Sequence, residues 1–221
     1  MADAPKSFFL TPAVHEYVVA HGTPPDAVQE ALIVETAQLP MARMQISPEQ
    51  GAFMTLLVRA VGARRAVEVG TFTGYSALAI ARGLPDDGQL LCCDLSEEWT
   101  AIARRVWAAA GVEHKIDLRL APALETLQAL PTDEHLDLAF VDADKTNYAA
   151  YYEELLPRLR PNGLLLVDNT LWSGRVVDAP AVDDDDDTRA LRAFNDMVAA
   201  DDRVEASLLT LGDGVTLVRK R

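Results

Sequence analysis

Cysteine is scarce in this chain of 221 residues, which contains only the adjacent pair Cys92 and Cys93. Side chains of neighbouring strand residues point to opposite faces, so these two sulfur atoms are not expected to form a disulfide bond. A chain that does not depend on disulfides suits a reducing compartment, and we expect a cytoplasmic protein.

Long apolar runs are also missing. No stretch reaches the roughly 18 residues that a membrane-spanning helix needs. The first ten residues contain one lysine and only three consecutive apolar residues, which predicts no signal peptide. We therefore expect no membrane partner.

Basic residues are outnumbered, with 20 Lys and Arg against 34 Asp and Glu and a net charge of −14. Proteins that bind nucleic acid usually carry a basic patch, so nucleic acid is not an expected partner. Part of the negative charge is local, from Asp183 to Asp187. This run is typical of a solvated loop between elements. A weak cation site is the alternative, but five consecutive carboxylates cannot all face one ion.

The apolar content of 49% and the charged content of 24% are typical of one soluble globular domain at this length. The first sixty residues predict three helices. One begins at Thr11-Pro12 and ends at Gly22, and a second covers residues 26–39. The third begins at Ser47-Pro48, where Gln50 can return a capping hydrogen bond, and ends at Gly62.

From residue 65 onward, short apolar runs alternate with helical patterns, which predicts an α/β fold with a parallel sheet covered on both faces. The predicted strands are residues 66–69, 90–93, 116–120, 136–141 and 164–167, followed by 204–211 and 215–219. Helices are expected over 96–110, from Lys145 toward Arg160, and near 188–200. The tight turn Gly212-Asp213-Gly214 predicts that the last two of the seven strands form an antiparallel hairpin.

Acidic residues cluster where four of the first five predicted strands end. Ligands of open α/β sheets bind beyond the carboxyl ends of the strands, so this edge is the expected site. The residues that mark it are Glu68, Gly70, Asp94, Asp142, Asp168 and Asn169.

The first strand leads into a loop that contains Gly70 and Gly74 and lacks the G-x-G-x-x-G spacing of dinucleotide-binding loops. Glu68 would repel a pyrophosphate and suits a cationic ligand, such as the amino-acid part of S-adenosylmethionine. An ordinary strand–helix turn is the alternative. Asp94 follows Gly70 by 24 residues, where an acid can accept both hydroxyls of a ribose. Its alternative role is to cap the helix that begins at Ser96.

Asp142, Asp168 and Asn169 follow two neighbouring strands, which lie about 4.8 Å apart in a sheet. Their three oxygen ligands and two negative charges match Mg²⁺, with Ca²⁺ or Mn²⁺ as alternatives. Helix capping by Asp142 and a turn at Asp168-Asn169 form the competing interpretation.

Three long motifs resemble those of the metal-dependent O-methyltransferases of the caffeoyl-CoA and catechol type. They are Glu68-Val-Gly-Thr-Phe-Thr-Gly-Tyr-Ser76, Phe140-Val-Asp-Ala-Asp-Lys145 and Val167-Asp-Asn-Thr-Leu-Trp172. The resemblance extends from about Met44 to the C-terminus. It implies a Rossmann-like, doubly wound fold in a single methyltransferase domain over residues 1–221. Within it, helices 1–62 would contribute to the substrate site and residues 63–221 would form the cofactor-binding core.

The resemblance also implies roles for individual residues. The binding of S-adenosylmethionine is assigned to Ile46, Glu68, Gly70, Thr71, Ser76, Asp94, Ala123 and Asp142. Asp142, Asp168 and Asn169 match the metal ligands, and Lys145 matches the general base of the catechol enzymes, acting beside Asp142. On the substrate side, Asp144 and Lys145 match contact positions, while Trp172 either walls the acceptor pocket or belongs to the core. The family commonly forms homodimers, and the first forty residues diverge most from it.

We therefore expect methyl transfer from S-adenosylmethionine to a hydroxyl of a small phenolic, catechol-like molecule that a divalent metal chelates. A caffeoyl-CoA-type thioester is the alternative acceptor, disfavoured by the acidic total because its phosphates need cations. Two other classes remain as rivals. A nicotinamide-dependent oxidoreductase would share the sheet and the ribose-binding acid. A non-catalytic nucleoside-binding regulator would need no metal triad.

Overall fold

The computed structural model describes residues 10–178 and 185–221. It contains one seven-stranded sheet with the strand order β3-β2-β1-β4-β5-β7-β6. The strands are β1 (Arg65–Val69), β2 (Gln89–Asp94), β3 (Ile116–Leu120), β4 (Leu136–Val141), β5 (Leu159–Val167), β6 (Val204–Leu209) and β7 (Val215–Lys220). Strands β1 to β5 are parallel, and β7 pairs antiparallel with both β5 and β6. The predicted α/β fold with its C-terminal hairpin is thus confirmed.

Eight α-helices accompany the sheet in the described part of the chain. They are α1 (Pro12–His21), α2 (Ala27–Thr36), α3 (Pro48–Ala60), α4 (Tyr75–Gly83), α5 (Glu97–Ala109), α6 (Ala123–Gln128), α7 (Tyr148–Arg158) and α8 (Asp186–Ala200). None of these described helices has the length and apolar character required to cross a membrane.

Side chains cap the N-terminal helices at the predicted positions. Thr11 Oγ1 accepts a hydrogen bond from Val14 N at 3.3 Å, and Ser47 Oγ accepts one from Gln50 N at 3.4 Å. The predicted return bond from the Gln50 side chain is wrong, because its amide donates to Asp168 instead.

Two predicted helix ends were too late. Helix α2 ends at Thr36 rather than at residue 39, because Pro40 disfavours helical geometry in the residue before it, and residues 37–40 form a turn. Helix α7 ends at Arg158, and β5 begins directly at Leu159 instead of at residue 164. Pro161 has the same effect on Arg160, whose side chain donates to Asp137 Oδ1 at 2.6 Å.

The sheet is buried on both faces, with helices on each side. Alternate residues of β4 separate into two core clusters: Leu138 and Phe140 pack with α3, α4 and α5, whereas Ala139 and Val141 pack with α7 and α8. This alternation makes the sheet the middle layer of a three-layer domain. Both cysteines are buried and free, as expected.

The acidic run is only partly described, because Asp183 and Asp184 lie outside the described residues. Its remaining members correct the loop prediction. Asp185 Oδ1 caps α8 by accepting from Thr188 N at 2.8 Å, and Asp186 and Asp187 lie in the first helical turn. Negative charge at a helix N-terminus interacts favourably with the helix dipole, so the run begins a helix.

Gly74 tests how tightly the first βα loop packs against α5. Its φ is +86°, and an added Cβ would lie 2.6 Å from Ala103 Cβ. Gly62 has a similar φ of +64° with no neighbour within 4 Å, so Gly62→Ala reports backbone strain alone. We expect Gly74→Ala to lower the free energy of unfolding by about 1–3 kcal/mol more than Gly62→Ala does, because overpacking adds to the strain. Urea denaturation measures both values, and equal losses would contradict the tight packing.

Candidate functional site

Main-chain hydrogen bonds join successive strand ends at the carboxyl edge of the sheet. Gly70 N donates to Cys93 O at 2.9 Å, Asp142 N donates to Val69 O at 2.8 Å, and Asp168 N donates to Val141 O at 2.9 Å. Each residue just beyond a strand is therefore held against one of the last two residues of a neighbouring strand. The predicted site residues at this edge are brought together as the sequence indicated, whereas their individual roles stay predictions.

Gly70 is required by a close contact between two backbones. Its φ is +88°, and an added Cβ would lie 1.9 Å from the carbonyl oxygen of Asp142. Both glycines of the first loop thus allow close packing within the chain, Gly70 against Asp142 and Gly74 against α5.

Glu68 is fully buried in β1. Its Oε2 accepts a hydrogen bond from Thr71 Oγ1 at 2.9 Å, while Oε1 has no hydrogen-bond partner among the described residues. Burial raises the pKa of Glu68 to about 7, and the hydrogen bond from the Thr71 hydroxyl opposes this rise. A buried acceptor without a partner is rare in folded proteins, so Glu68 is suited to receive a donor from a ligand.

Asp94 stabilises the first loop. Its Oδ2 accepts from the backbone N–H groups of Thr71 at 2.9 Å and Phe72 at 2.8 Å, and its Oδ1 accepts from Ser96 N at 2.8 Å. The alternative prediction, that Asp94 caps α5, is thus partly confirmed. Asp94 binds the N–H of Ser96, and Ser96 Oγ in turn accepts from Trp99 N in the first turn of the helix. Contact with a ribose stays a prediction.

The remaining predicted cofactor residues surround the same edge. Ile46 is buried in the extended segment before α3, and Ser76 is buried in the first turn of α4. Ala123 is the half-buried first residue of α6, which follows β3.

The oxygens of Asp142 and Asn169 converge on the ammonium group of Lys145. Lys145 Nζ lies 3.0 Å from Asp142 Oδ1 and 2.6 Å from Asn169 Oδ1, and it also donates to Tyr148 OH at 2.7 Å. Tyr148 OH in turn donates to the carbonyl oxygen of Asp168 at 3.1 Å. Lys145 is only 8% exposed, whereas its partners Asp142 and Asn169 are half-buried, so the cluster reaches solvent on the side of these two residues.

Asp168 is joined to this cluster through the hydrogen bond from Tyr148 to its carbonyl oxygen. Its Oδ1 accepts from the Asn169 N–H at 2.7 Å, and its Oδ2 accepts from Gln50 Nε2 at 2.9 Å. Burial raises the pKa of Asp168, and the negative charge of Asp142 raises it further. Among the described residues, the carboxylates of Asp142 and Asp168 lie near only one ammonium group, that of Lys145, so the cluster can bind a further positive charge.

The donor set fits a hard divalent cation. Two carboxylates and one amide oxygen are hard oxygen ligands, and the Lys145 ammonium shows that two of them already face a cation. In the described part of the chain, no three His, Cys, Asp or Glu side chains form a metal cluster. A cation bound by Asp142 and Asp168 would therefore need the amide oxygen of Asn169 as its third protein ligand. Asn169 has a φ of +59°, a conformation that asparagine tolerates better than most residues.

The predicted substrate residues lie on the outer side of this cluster. The ring of Trp172 is half-buried 5.8 Å from Lys145 Nζ, and its Nε1 is buried without a partner among the described residues. Asp144 is exposed, and its Oδ1 accepts from Tyr151 OH at 2.6 Å. Contact of either residue with an acceptor stays a prediction.

Sequence reasoning missed two residues of the cluster. The sequence analysis gives Tyr148 no role, although its spacing of three residues from Lys145 places both side chains on one face of a helical turn. Gln50 was interpreted only as part of a cap. Its partner Asp168 is 118 residues away, so no local pattern indicates the contact.

Glu68 gives the site a measurable pH dependence. Because its pKa rises from 4.5 to about 7 on folding, the folded state keeps a proton in this window that the unfolded state has lost. Glu68 therefore lowers stability as the pH rises from 4.5 to about 7. Glutamine does not titrate, so Glu68→Gln avoids this loss. Between pH 4.5 and about 7, we expect the free energy of unfolding of the variant to rise by about 3 kcal/mol relative to that of the wild type. Urea unfolding at several pH values measures this, with the exposed Glu98→Gln as the control for loss of one charge. Parallel curves for Glu68→Gln and the wild type would rule the effect out.

Comparison with known proteins gives a consistent family. The O-methyltransferase family profile matches residues 21–221. Caffeoyl-CoA O-methyltransferase 2 of Zea mays is 40% identical over 232 residues, covering 97% of this chain and 85% of that protein. Tricin synthase 2 of Oryza sativa subsp. japonica is 39% identical, covering 99% of this chain and 78% of that protein. The structure of the O-methyltransferase from Bacillus cereus in complex with SAH superimposes with a TM-score of 0.85 at 33% identity, covering 95% of this chain and 97% of that chain. This chain belongs to the O-methyltransferase family.

Proposed function

We propose that this chain transfers the methyl group of S-adenosylmethionine to a hydroxyl of a catechol-like small molecule, with a divalent cation at the site. The observation that carries the proposal is the convergence of Asp142 and Asn169 oxygens on the Lys145 ammonium, directly beside the buried Asp168 carboxylate. A family that transfers methyl groups to oxygen favours this reaction over the nicotinamide and regulatory alternatives.

The methyl donor would lie along the first strand end. The unpartnered Oε1 of Glu68 is suited to accept from the donor's ammonium group, and Asp94 is suited to its ribose hydroxyls. Gly70, Thr71 and Ser76 would line the loop between them, with backbone contacts from Ile46 and Ala123. The SAH complex of the Bacillus cereus relative supports this choice of donor.

Asp142, Asp168 and Asn169 would hold the cation, for which we propose Mg²⁺, with Ca²⁺ or Mn²⁺ as alternatives. A divalent cation at this position supplies Lewis-acid chemistry that lowers the pKa of an acceptor hydroxyl, which is about 10 for a phenol.

In its neutral amine form, which has a free lone pair, Lys145 would be positioned to accept the proton of that hydroxyl. Its hydrogen bonds to Asp142, Tyr148 and Asn169 hold Nζ at the inner end of the site, and Trp172 packs beside it. Asp144 and Trp172 would contact the acceptor. Fixed positions for both reactants supply much of the acceleration.

Two adjacent hydroxyls would fix the acceptor at the cation, which favours catechols. The name of the Zea mays relative supports the caffeoyl-CoA thioester as a second candidate. The net charge of −14 disfavours its phosphates, and the rice relative of similar identity carries a different name. We further propose a cytoplasmic homodimer with one domain per chain, in which residues 1–62 help to select the acceptor.

Removal of either carboxylate should abolish turnover. We expect Asp142→Ala and Asp168→Ala to lower kcat/KM by at least about 100-fold, because a lost ligand costs more than the 10- to 100-fold of its supporting residues. Isothermal titration calorimetry should show that Asp168→Ala, which removes no residue assigned to the methyl donor, still binds S-adenosylhomocysteine. Asp87→Ala, which removes an exposed carboxylate, is the control. Full activity of both site variants would contradict the proposed cation site.

The reaction itself is tested with labelled S-adenosylmethionine and a panel of simple catechols, monophenols and caffeoyl-CoA, with Mg²⁺ and with EDTA. We expect catechols to be labelled with Mg²⁺ and not with EDTA, and monophenols to remain unlabelled. Labelling of caffeoyl-CoA alone would replace the acceptor class. Equal labelling in EDTA would remove the cation from the proposal.

A further inference from the structure

Asp168 receives one of its hydrogen bonds from an element outside the sheet. Gln50 lies in the first turn of α3, and its Nε2 donates to Asp168 Oδ2 at 2.9 Å. Both side chains are almost completely buried, Gln50 at 2% and Asp168 at 3% exposure. The other oxygen, Oδ1, is bound by the N–H of the adjacent Asn169 at 2.7 Å. The two bonds together fix the rotation of the carboxylate plane.

The orientation of the Gln50 amide follows from its two neighbours. Nε2 faces a carboxylate, which only accepts hydrogen bonds, so the reversed amide would place two acceptors together. On the other side, Gly212 leaves space for Oε1, because an added Cβ at Gly212 would lie 2.5 Å from that atom. The hairpin loop between β6 and β7 therefore confines the amide against Asp168.

Helix α3 itself has little freedom to move. Ser47 caps its N-terminus, and an added Cβ at Gly51 would lie 2.7 Å from Tyr75 Cε1. At the other end of the contact with α4, an added Cβ at Gly83 would lie 2.6 Å from Val58 Cβ. The donor at Gln50 is thus attached to a rigid helix, which holds a bond more precisely than a loop does.

We propose that Gln50 is a positioning residue for the cation site: its amide sets which lone pairs of the Asp168 carboxylate face the cation. This inference rests on the proposed function. Each carboxylate oxygen has two lone pairs, so one bond to Gln50 and one to Asn169 leave a lone pair on each oxygen for a cation. Without Gln50, the carboxylate is held only by its own loop and can turn. Residues that orient metal ligands typically contribute 10- to 100-fold to metal affinity.

The test measures Mn²⁺ binding by the electron paramagnetic resonance signal of free Mn²⁺, without turnover. Gln50→Met keeps the length of the side chain and removes the donor. We expect it to raise the dissociation constant of Mn²⁺ about 10- to 100-fold, with the affinity for S-adenosylhomocysteine unchanged. Thr55→Val is the matched control, because it removes a different side-chain hydrogen bond of α3, from Thr55 Oγ1 to Ala79 O at 2.8 Å.

A second variant keeps the proposal testable if Gln50→Met does not fold. Gly212→Ala displaces the Gln50 amide from the opposite side, whereas Gly62→Ala has a similar positive φ and touches nothing within 4 Å. We expect weaker Mn²⁺ binding for Gly212→Ala and unchanged binding for Gly62→Ala.

The outcomes separate the two proposals. Wild-type protein that binds no Mn²⁺ would overturn the cation site and the role of Gln50 with it. If the wild type binds Mn²⁺ and Gln50→Met binds it equally well, the positioning role alone is overturned and the proposed function stays intact. This holds whatever the melting temperatures of the two proteins are.

Discussion

The hydrogen bonds that link Gly70, Asp142 and Asp168 to neighbouring strand ends determine the geometry of the site. These bonds use only main-chain atoms, so strand pairing alone fixes the positions of the residues at the sheet edge, independently of their side chains. The backbone of Gly70 can approach Asp142 closely only because it lacks a Cβ. A side chain at position 70 would push the loop after β1 away from Asp142, although β1 and β4 would remain paired as far as Val69 and Val141.

Electrostatics explains why this edge suits cations. Glu68 and Asp168 are both buried acids whose pKa values rise because burial disfavours their charged forms. Unpaired buried carboxylates are costly, and a bound cation relieves that cost. The sulfonium donor and a divalent metal are both cations, so one physical property of the edge favours both ligands of the proposed reaction. Within the chain itself, the ammonium group of Lys145 also supplies positive charge to this edge.

The sequence allowed prediction of the strands, their acidic ends and the hairpin, because each has a local signal in apolar runs, glycines or spacing. The helices before Pro40 and Pro161 end earlier than the sequence patterns predict, because proline disfavours helical geometry in the residue before it and the apolar pattern does not show this effect. The contact between Gln50 and Asp168 could not be predicted, because it joins residues 118 positions apart without any periodic pattern. The role of Tyr148 was hidden for another reason, since a buried tyrosine on a helix is most often core.

Side chains at positions 142 and 168 can change without moving their neighbours, because main-chain bonds hold the positions of these residues, whereas position 70 accepts only glycine. Divergence within such a scaffold is therefore modular. Under the proposed function, a descendant of this chain that lost Asp168 or Asn169 would keep the loop around Glu68 and Asp94 and could evolve toward metal-independent chemistry at an unchanged site for the methyl donor. Homologues that lack Asp168 and Asn169 but keep the first loop would be evidence that this change has occurred in evolution.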